Sequence, residues 1–225
     1  MGSSFGVISQ TGNNIQTNGL VFYVDPAYKI SYPGTGTTVT DIAGNDSGTL
    51  DGTTVIYNTG SGVFNFDGID DYINLGASSN YAFSTHDFTI CSWFNRTSTS
   101  AYEWIWGQGG TNFSWGQTNS NPGKPRVWIN ASYLDCTTAI TLNTWQYWSC
   151  KRESGTVTFN LNGIDLNSGT LNGSITAGSY LYMGAFNIGQ NHFSGDIGPV
   201  QIYNRALSAG DFLQNFNAQK DRFGL

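Results

Sequence analysis

The chain has 225 residues and a formal net charge of −6, with 11% charged and 15% aromatic residues. An all-β chain of this length is usually one domain, and its apolar content suffices for a core, which excludes wholesale disorder. The nine lysines and arginines are scattered, so the clustered positive charge that phosphate binding requires is missing, and we exclude nucleic acid as a partner.

A polar segment precedes the first strand pattern. Residues 1–18 are rich in glycine and polar side chains, and we predict that they form an arm, while residues 19–225 form the domain. The segment lacks the basic and apolar regions of a signal peptide, so we expect none. No stretch of the chain approaches the roughly 20 apolar residues of a membrane span, so we expect no membrane association.

Short strand patterns follow at regular spacing. They are rich in aromatic and β-branched residues and are bounded by Gly, Asn and Asp, which is typical of an antiparallel sandwich. In chain order the predicted strands are 20–24, 63–66, 72–75, 88–94, 104–106, 113–115, 127–129, 145–150, 157–161, 181–183 and 197–203. Asn162 and Gly163 predict a tight hairpin turn. We expect two stacked sheets of about six strands each.

One helix is predicted near the C-terminus. Ser208 is a good N-cap, and Asp211 stands at the position of a capping-box partner. Phe212, Leu213 and Phe216 follow at helical spacing, which predicts an apolar face that packs on the sandwich.

The three cysteines, Cys91, Cys136 and Cys150, are odd in number and widely spaced, which does not indicate a disulfide framework. With only two histidines, the chain has no typical zinc ligand set. We predict buried free thiols. A Cys91–Cys150 disulfide stays open as the alternative, because both residues lie in apolar strand patterns.

Six segments follow one another in a characteristic order. They are FDGIDDYI (66–73), DFTICSWF (87–94), WQYWSC (145–150), VTFNLNG (157–163), LYMG (181–184) and FSGDIGPVQIYNRALS (193–208). Taken in this order, they resemble the laminin-G-like jelly rolls of the concanavalin A-like lectin/glucanase superfamily. The resemblance spans residues 19–217 and implies an all-β, two-sheet antiparallel jelly-roll sandwich with a short C-terminal helix.

Residues 18–46 and 214–225 further resemble virion proteins of tailed bacteriophages. This resemblance implies a non-enzymatic structural protein of the virion, made in the host cytoplasm. Capsid decoration and a tail or fibre accessory are both open, and adhesion is a further role. Its partners would be other virion proteins, and we expect a homo-oligomer.

A glycoside hydrolase is the third and weakest hypothesis. That chemistry usually needs two carboxyl groups on either side of the scissile bond. The chain has two glutamates, Glu103 and Glu153, far apart and outside any paired motif. We therefore predict that the protein is not an enzyme.

The resemblance also implies a calcium site at the rim of the sandwich, although we expect no cofactor to be required. Hard cations prefer carboxylate and carbonyl oxygens. The candidate ligands are Asp67, Asp70, Asp71 and Asp196. The alternative is that these carboxylates accept hydrogen bonds from nearby turn amides.

Aromatic residues of the middle section are candidates for a sugar site, since aromatic faces stack on the apolar faces of sugar rings. They are Trp104, Trp106, Trp115, Trp128 and Tyr133. Alternation places Trp104 and Trp106 on one face of a strand. The alternative is that these rings belong to the core. A calcium-dependent carbohydrate-binding module that recognises cell-surface glycans is therefore our alternative to the virion role.

Overall fold

Antiparallel strand pairing organises most of the chain. A computed structural model describes residues 14–44, 46–51, 56–58, 62–77, 79–98, 102–109, 112–119 and 123–225. The strands are β1 (Leu20–Val24), β2 (Thr38–Thr40), β3 (Ser47–Asp51), β4 (Ile56–Asn58), β5 (Val63–Asp67), β6 (Tyr72–Gly76), β7 (Phe88–Arg96), β8 (Glu103–Gln108), β9 (Phe113–Gln117), β10 (Pro125–Ile129), β11 (Ser132–Asp135), β12 (Trp145–Glu153), β13 (Thr156–Leu161), β14 (Ile164–Thr170), β15 (Leu181–Met183) and β16 (Ser194–Tyr203).

These strands form two eight-stranded sheets. In sheet A the order is β14-β13-β12-β7-β16-β5-β4, and β1 pairs with the second half of β16. In sheet B the order is β11-β10-β9-β8-β15-β6-β3-β2. The two-sheet antiparallel sandwich is thus confirmed. The sheets are wider than expected because short polar strands such as β2, β3 and β11 carry too weak a pattern to be predicted.

The main core lies between the two sheets, and β7 shows how it forms. Phe88, Ile90 and Phe94 point into this core, while Cys91 and Trp93 point to the opposite face of sheet A. The strand predicted over residues 88–94 is therefore confirmed, and its side chains alternate between the two faces of sheet A. The predicted hairpin is also present, because Asn162 and Gly163 link β13 to β14 with positive φ angles of 51° and 88°.

Helix α1 (Ala209–Gln219) covers the outer face of sheet A. The Ser208 cap and its capping box with Asp211 are confirmed. A 3₁₀ helix, Lys220–Phe223, continues the chain. The predicted apolar face is right for Phe212, which is fully buried, and wrong for Leu213, which is 48% exposed.

Trp93 lies at the centre of the contact between sheet A and the C-terminal helices. Its ring stacks on Phe216 with centroids 5.7 Å apart and on Phe223 with centroids 4.3 Å apart. Its indole Nε1–H donates a hydrogen bond of 2.9 Å to Gln219 Oε1. Within the described ranges, no helix is long and apolar enough to cross a membrane.

The described end of the predicted arm, residues 14–18, lies against α1. The Gln16 amide donates to Asn215 Oδ1 at 2.7 Å, and the Tyr203 hydroxyl donates to the Gln16 carbonyl at 3.0 Å. Gln214 Nε2 donates to the Asn14 carbonyl at 2.6 Å. Residues 1–13 of the arm lie outside the described residues, and the boundary at residue 18 stays a prediction.

All three cysteines are buried free thiols. Cys91 pairs across the strands with Ser149, and Cys150 pairs with Ile90. The Cys91 side chain faces α1, whereas that of Cys150 faces the main core. The alternative of a Cys91–Cys150 disulfide was therefore wrong, since the two thiols project from opposite faces of one sheet.

We expect Trp93→Ala to lower the free energy of unfolding by about 3–5 kcal/mol, because the substitution leaves a large cavity beneath the helices. Leu213→Ala is the matched control on the same helix, with an expected change within about 0.5 kcal/mol. Denaturant melts measure both. Similar effects of the two substitutions would contradict the packing of the helices on sheet A.

We expect all three thiols of the folded protein to resist Ellman's reagent at mildly alkaline pH. Burial raises the pKa of Cys91 from 9.0 to about 12, so its thiol stays protonated. Because the folded-state pKa is the higher one, the associated stabilisation is complete below pH 9.0 and is lost as the pH rises towards 12. Denaturation should release three reactive thiols. Rapid reaction of Cys91 in the folded protein would refute this expectation.

Candidate functional site

The outer face of sheet B carries a group of aromatic and charged side chains. Along β10, Val127 points into the core, so its neighbours Arg126 and Trp128 project outward. On the adjacent strand β11, Tyr133 pairs with Trp128 and Asp135 pairs with Arg126. Direct cross-strand pairing therefore gathers these four outward side chains into one patch.

An ion pair fixes this patch. Arg126 donates two hydrogen bonds to Asp135, from Nε to Oδ1 at 2.5 Å and from Nη2 to Oδ2 at 2.8 Å. The guanidinium carbon lies 3.8 Å from the centroid of Tyr133 and 5.5 Å from that of Tyr102. Arg126 is buried, whereas Tyr133 is 53% exposed. The Arg126 guanidinium thus stacks against the exposed Tyr133 ring and is itself held in place by two hydrogen bonds to Asp135.

A β-bulge in β8 separates two of the predicted sugar-site residues. Trp106 pairs with Trp115 and Trp104 pairs with Gly116, with the register shifting between the two pairs. The extra residue turns Trp104 to the outer face and leaves Trp106 facing the core. The expectation that alternation places both rings on one face was therefore wrong.

Trp106 and Trp115 belong to the core, contrary to their predicted sugar-stacking role. Trp106 is fully buried and makes edge contacts with Phe22 and Tyr81, with centroids 5.1 and 5.2 Å away. Trp115 is 1% exposed, and its indole Nε1–H donates to Ser92 Oγ at 3.1 Å. Neither ring presents a face to a sugar.

The other three predicted residues, Trp104, Trp128 and Tyr133, lie together on the outer face. Trp104 is 2% exposed, so it supports this group from within and offers no ring face to a sugar. We call this group, with Phe186, the aromatic platform. Centroid distances are 5.4 Å from Trp104 to Phe186, 6.4 Å from Trp104 to Trp128, and 5.5 Å from Trp128 to Tyr133. The indole Nε1–H groups of Trp104 and Trp128 are buried without a hydrogen-bond partner in the described part of the chain.

Sequence reasoning missed four residues of this site: Tyr102, Arg126, Asp135 and Phe186. Arg126 had a usable signal, since it stands two positions before Trp128 in a strand whose intervening residue is apolar. Asp135 depends on the β10–β11 register, and Phe186 comes from the loop that follows β15. Neither has a local sequence signal.

Three of the four predicted calcium ligands lie together in the β5–β6 turn. Carboxylate oxygens of Asp67, Asp70 and Asp71 lie within 4.8 Å of one another. Asp67 Oδ1 accepts a hydrogen bond from the Ile69 amide at 2.7 Å, and Asp71 Oδ2 accepts one from the Asp67 amide at 3.0 Å. The turn hydrogen bonds of the alternative interpretation are thus present, and the cluster also offers several oxygens to a cation.

Asp196 lies away from this cluster. It pairs with Asn65 across β16 and β5 and accepts a 2.9 Å hydrogen bond from the Asn65 amide group. Asp67 pairs instead with Ser194, two residues before Asp196 on β16. The structure therefore does not gather all four predicted ligands.

The two glutamates are far from forming a catalytic pair. Glu103 is buried, with Oε2 3.1 Å from Arg96 Nε and accepting a 2.7 Å hydrogen bond from Gln117. Burial raises the pKa of Glu103. Glu153 ends β12 in the other sheet, where its exposed carboxylate lies 3.7 Å from Lys151.

Solved structures of low sequence identity share this fold. Trypanosoma rangeli sialidase, solved with 2,3-difluorosialic acid, gives a TM-score of 0.68 at 15% identity, over 94% of this chain and 35% of the sialidase. Domain 4 of the extracellular arabinanase AbnA from Geobacillus stearothermophilus, solved with arabinotriose, gives 0.67 at 18% identity, over 88% and 98%. The receptor-binding domain of botulinum neurotoxin C/D mosaic serotype gives 0.66 at 15%, over 89% and 51%.

These likenesses establish the fold alone, and the chain spans about a third of the sialidase and half of the toxin domain. A search of curated protein sequences finds no significant match. A laminin G family model, described as concanavalin A-like lectin/glucanases superfamily, matches residues 66–211. With two sheets in the expected arrangement and this match over most of its length, the chain belongs to the concanavalin A-like lectin/glucanase superfamily.

Proposed function

We propose that the protein binds carbohydrate at the aromatic platform on the outer face of sheet B. The observation that carries the proposal is the exposed ring of Tyr133 stacked 3.8 Å above the guanidinium of Arg126, which Asp135 holds by two hydrogen bonds. Sugar sites combine an aromatic face with a few fixed polar groups. A ring immobilised before binding loses little conformational entropy when a sugar stacks on it.

We propose binding without hydrolysis. Glycoside hydrolysis usually needs two carboxyl groups flanking the bond, one of them free to donate a proton. Asp135, the carboxylate at the platform, has both oxygens bonded to Arg126. The buried Glu103 is likewise paired with Arg96. These pairings support a binding module over a glycosidase.

Two structures of the same fold were solved with sugar-type ligands, a sialidase with 2,3-difluorosialic acid and an arabinanase domain with arabinotriose. This supports a carbohydrate ligand only as a class, because the identities are 15% and 18%.

The virion role stays a prediction from the sequence. It is compatible with the proposed binding, because an adhesive appendage of a particle would use the same platform. Co-sedimentation of the protein with particles that lack it tests that role separately, and binding at a fixed stoichiometry would support it.

We also propose that the Asp67–Asp71 turn binds calcium weakly. Its three clustered carboxylates fit a hard cation, with backbone carbonyls and water as the usual remaining ligands. A bound cation would offset the negative charge of these three carboxylates.

We expect a glycan array to show binding to at least one glycan, and Tyr133→Ala to weaken that binding at least about tenfold, or about 1.4 kcal/mol. The physical reason is loss of the stacking face. Tyr28→Ala is the matched control, since Tyr28 is a 40% exposed tyrosine beside Tyr23 on the sheet A side. Titration calorimetry measures both variants. Absence of binding to every glycan on the array would refute the proposed function. Equal losses of affinity in both variants would show that the glycan does not bind at this platform.

We expect Arg126→Lys to weaken glycan binding less than Tyr133→Ala does. Lysine keeps the charge but cannot form the two-bond fork with Asp135 or stack as a plane beneath the ring. The dissociation constant should rise a few-fold, with an unchanged melting temperature to within a few degrees. Wild-type affinity in this variant would show that the guanidinium does not support the ring.

We expect calcium at about ten times its Kd to stabilise the fold by about 1.4 kcal/mol, which corresponds to a rise in Tm of about 3–6 °C. EDTA should reverse the shift. Asp70→Asn should abolish it, because one clustered carboxylate is lost. Asp196→Asn is the matched control and should retain it, because Asp196 binds Asn65 instead. Identical melts with calcium and with EDTA would refute the site.

A further inference from the structure

Three Asn–Gly pairs occur in the chain, namely Asn18–Gly19, Asn162–Gly163 and Asn172–Gly173. In such a pair the backbone nitrogen of glycine can attack the side-chain amide carbon of asparagine, because glycine has no Cβ to crowd the approach. The attack requires that both groups be free and able to meet at close range. Since the sequence motif is the same in all three pairs, the structure decides which of them can react.

The Asn162–Gly163 pair is held at both reacting groups. Asn162 Oδ1 accepts a hydrogen bond of 2.9 Å from the Tyr147 amide, and the Asn162 amide donates one of 2.9 Å to the Tyr147 carbonyl. The Gly163 amide donates a hydrogen bond of 3.0 Å to Asn160 Oδ1. Reaction in this hairpin would break the hydrogen bond of the attacking nitrogen and that of the attacked amide, so we expect it to be slow.

The Asn172–Gly173 pair lies between β14 and β15, where the Asn172 side chain is exposed. Two hydrogen bonds hold the backbone there: Arg152 Nη1 donates to the Gly173 carbonyl at 2.7 Å, and the Leu171 amide donates to the Gly155 carbonyl at 3.0 Å. Neither bond involves the Gly173 nitrogen or the Asn172 side chain. Among the residues that the structure describes, these two reacting groups have no hydrogen-bond partner.

The Asn18–Gly19 pair, immediately before β1, is free in the same way. Its hydrogen bonds also use carbonyl oxygens, since Arg205 Nε donates to the Asn18 carbonyl at 2.8 Å and the Asn204 amide donates to the Gly19 carbonyl at 2.8 Å. The Asn18 side chain is exposed. Within the described part of the chain, neither that side chain nor the Gly19 amide has a hydrogen-bond partner.

We propose that Asn18 and Asn172 are sites of spontaneous deamidation in the folded protein, and that the structure protects Asn162. The reaction takes water as its co-reactant and releases ammonia. This inference concerns a chemical modification of the chain and does not depend on the proposed carbohydrate binding.

The chemistry is an intramolecular acyl transfer followed by hydrolysis. The glycine nitrogen gives its proton to solvent and forms a bond to Cγ of the preceding asparagine. The Cγ–Nδ2 bond breaks, and Nδ2 takes up a proton from solvent and leaves as ammonia, so that a cyclic succinimide remains. Water then opens this ring at either carbonyl, which yields aspartate or isoaspartate. Nothing is oxidised or reduced, and each event adds one carboxylate to the chain.

The test follows each asparagine by peptide mass spectrometry. The full chain is incubated at mildly alkaline pH, where the glycine amide loses its proton more readily, and is sampled over several weeks. We expect Asn18 and Asn172 to deamidate at least about tenfold faster than Asn162, because such attack is steeply sensitive to the placement of the reacting groups. The control is the same chain unfolded in guanidinium chloride, in which the three pairs should react at similar rates.

Isoelectric focusing gives a second readout, because each deamidation adds a negative charge. Over the same period the wild-type protein should develop two successively more acidic forms. Asn172→Gln keeps an exposed amide but would have to close a larger ring, so this variant should develop one such form fewer. Asn18→Gln should behave in the same way, and the double variant should keep its original isoelectric point.

The outcomes bear on the role of the structure. Similar rates at all three asparagines of the folded protein would overturn the inference, because hydrogen bonding would then not protect Asn162. It would also be overturned if Asn18 and Asn172 stayed intact in the folded protein while the unfolded chain reacted. Reaction at one of these two alone would overturn the assignment of the other. None of these results alters the test of carbohydrate binding.

Discussion

Strand alternation is the constraint on which this molecule depends. Each strand sends one set of side chains into the core between the sheets and the other set outward, so each sheet has a second face to be covered or used. On sheet A that face is apolar at Trp93 and is covered by α1 and the 3₁₀ helix. On sheet B the Phe186 loop lies over Gly107, and Tyr133 remains exposed. The candidate site therefore lies on sheet B because its outward aromatic residues are only partly covered.

The sequence predicts well those features that depend on neighbours along the chain. The alternation in β7, the Asn162–Gly163 hairpin and the Ser208 cap involve residues a few positions apart, and each was found as expected. The candidate site depends on residues brought together by strand register. The Arg126–Asp135 fork requires the β10–β11 pairing, and no local pattern marks it.

The bulge in β8 shows why the site was only partly predicted. One extra residue between Trp104 and Trp106 places the two rings on opposite faces of the sheet. A prediction from strict alternation cannot foresee such an extra residue. The same limit affects Asp196, which family resemblance grouped with the acidic turn. The strand register pairs Asp196 with Asn65 instead, so only three of the four predicted calcium ligands lie together.

The placement of the N-terminal segment bears on both proposed roles of the domain. Asn14 and Gln16 form hydrogen bonds with α1 on the sheet A side. The aromatic platform lies on the outer face of sheet B, on the opposite side of the sandwich. If the domain were attached to a particle or to a neighbouring subunit through its α1 side, the platform would still face solvent. Structural attachment and glycan recognition would then use opposite faces, so one domain could perform both without competition between them.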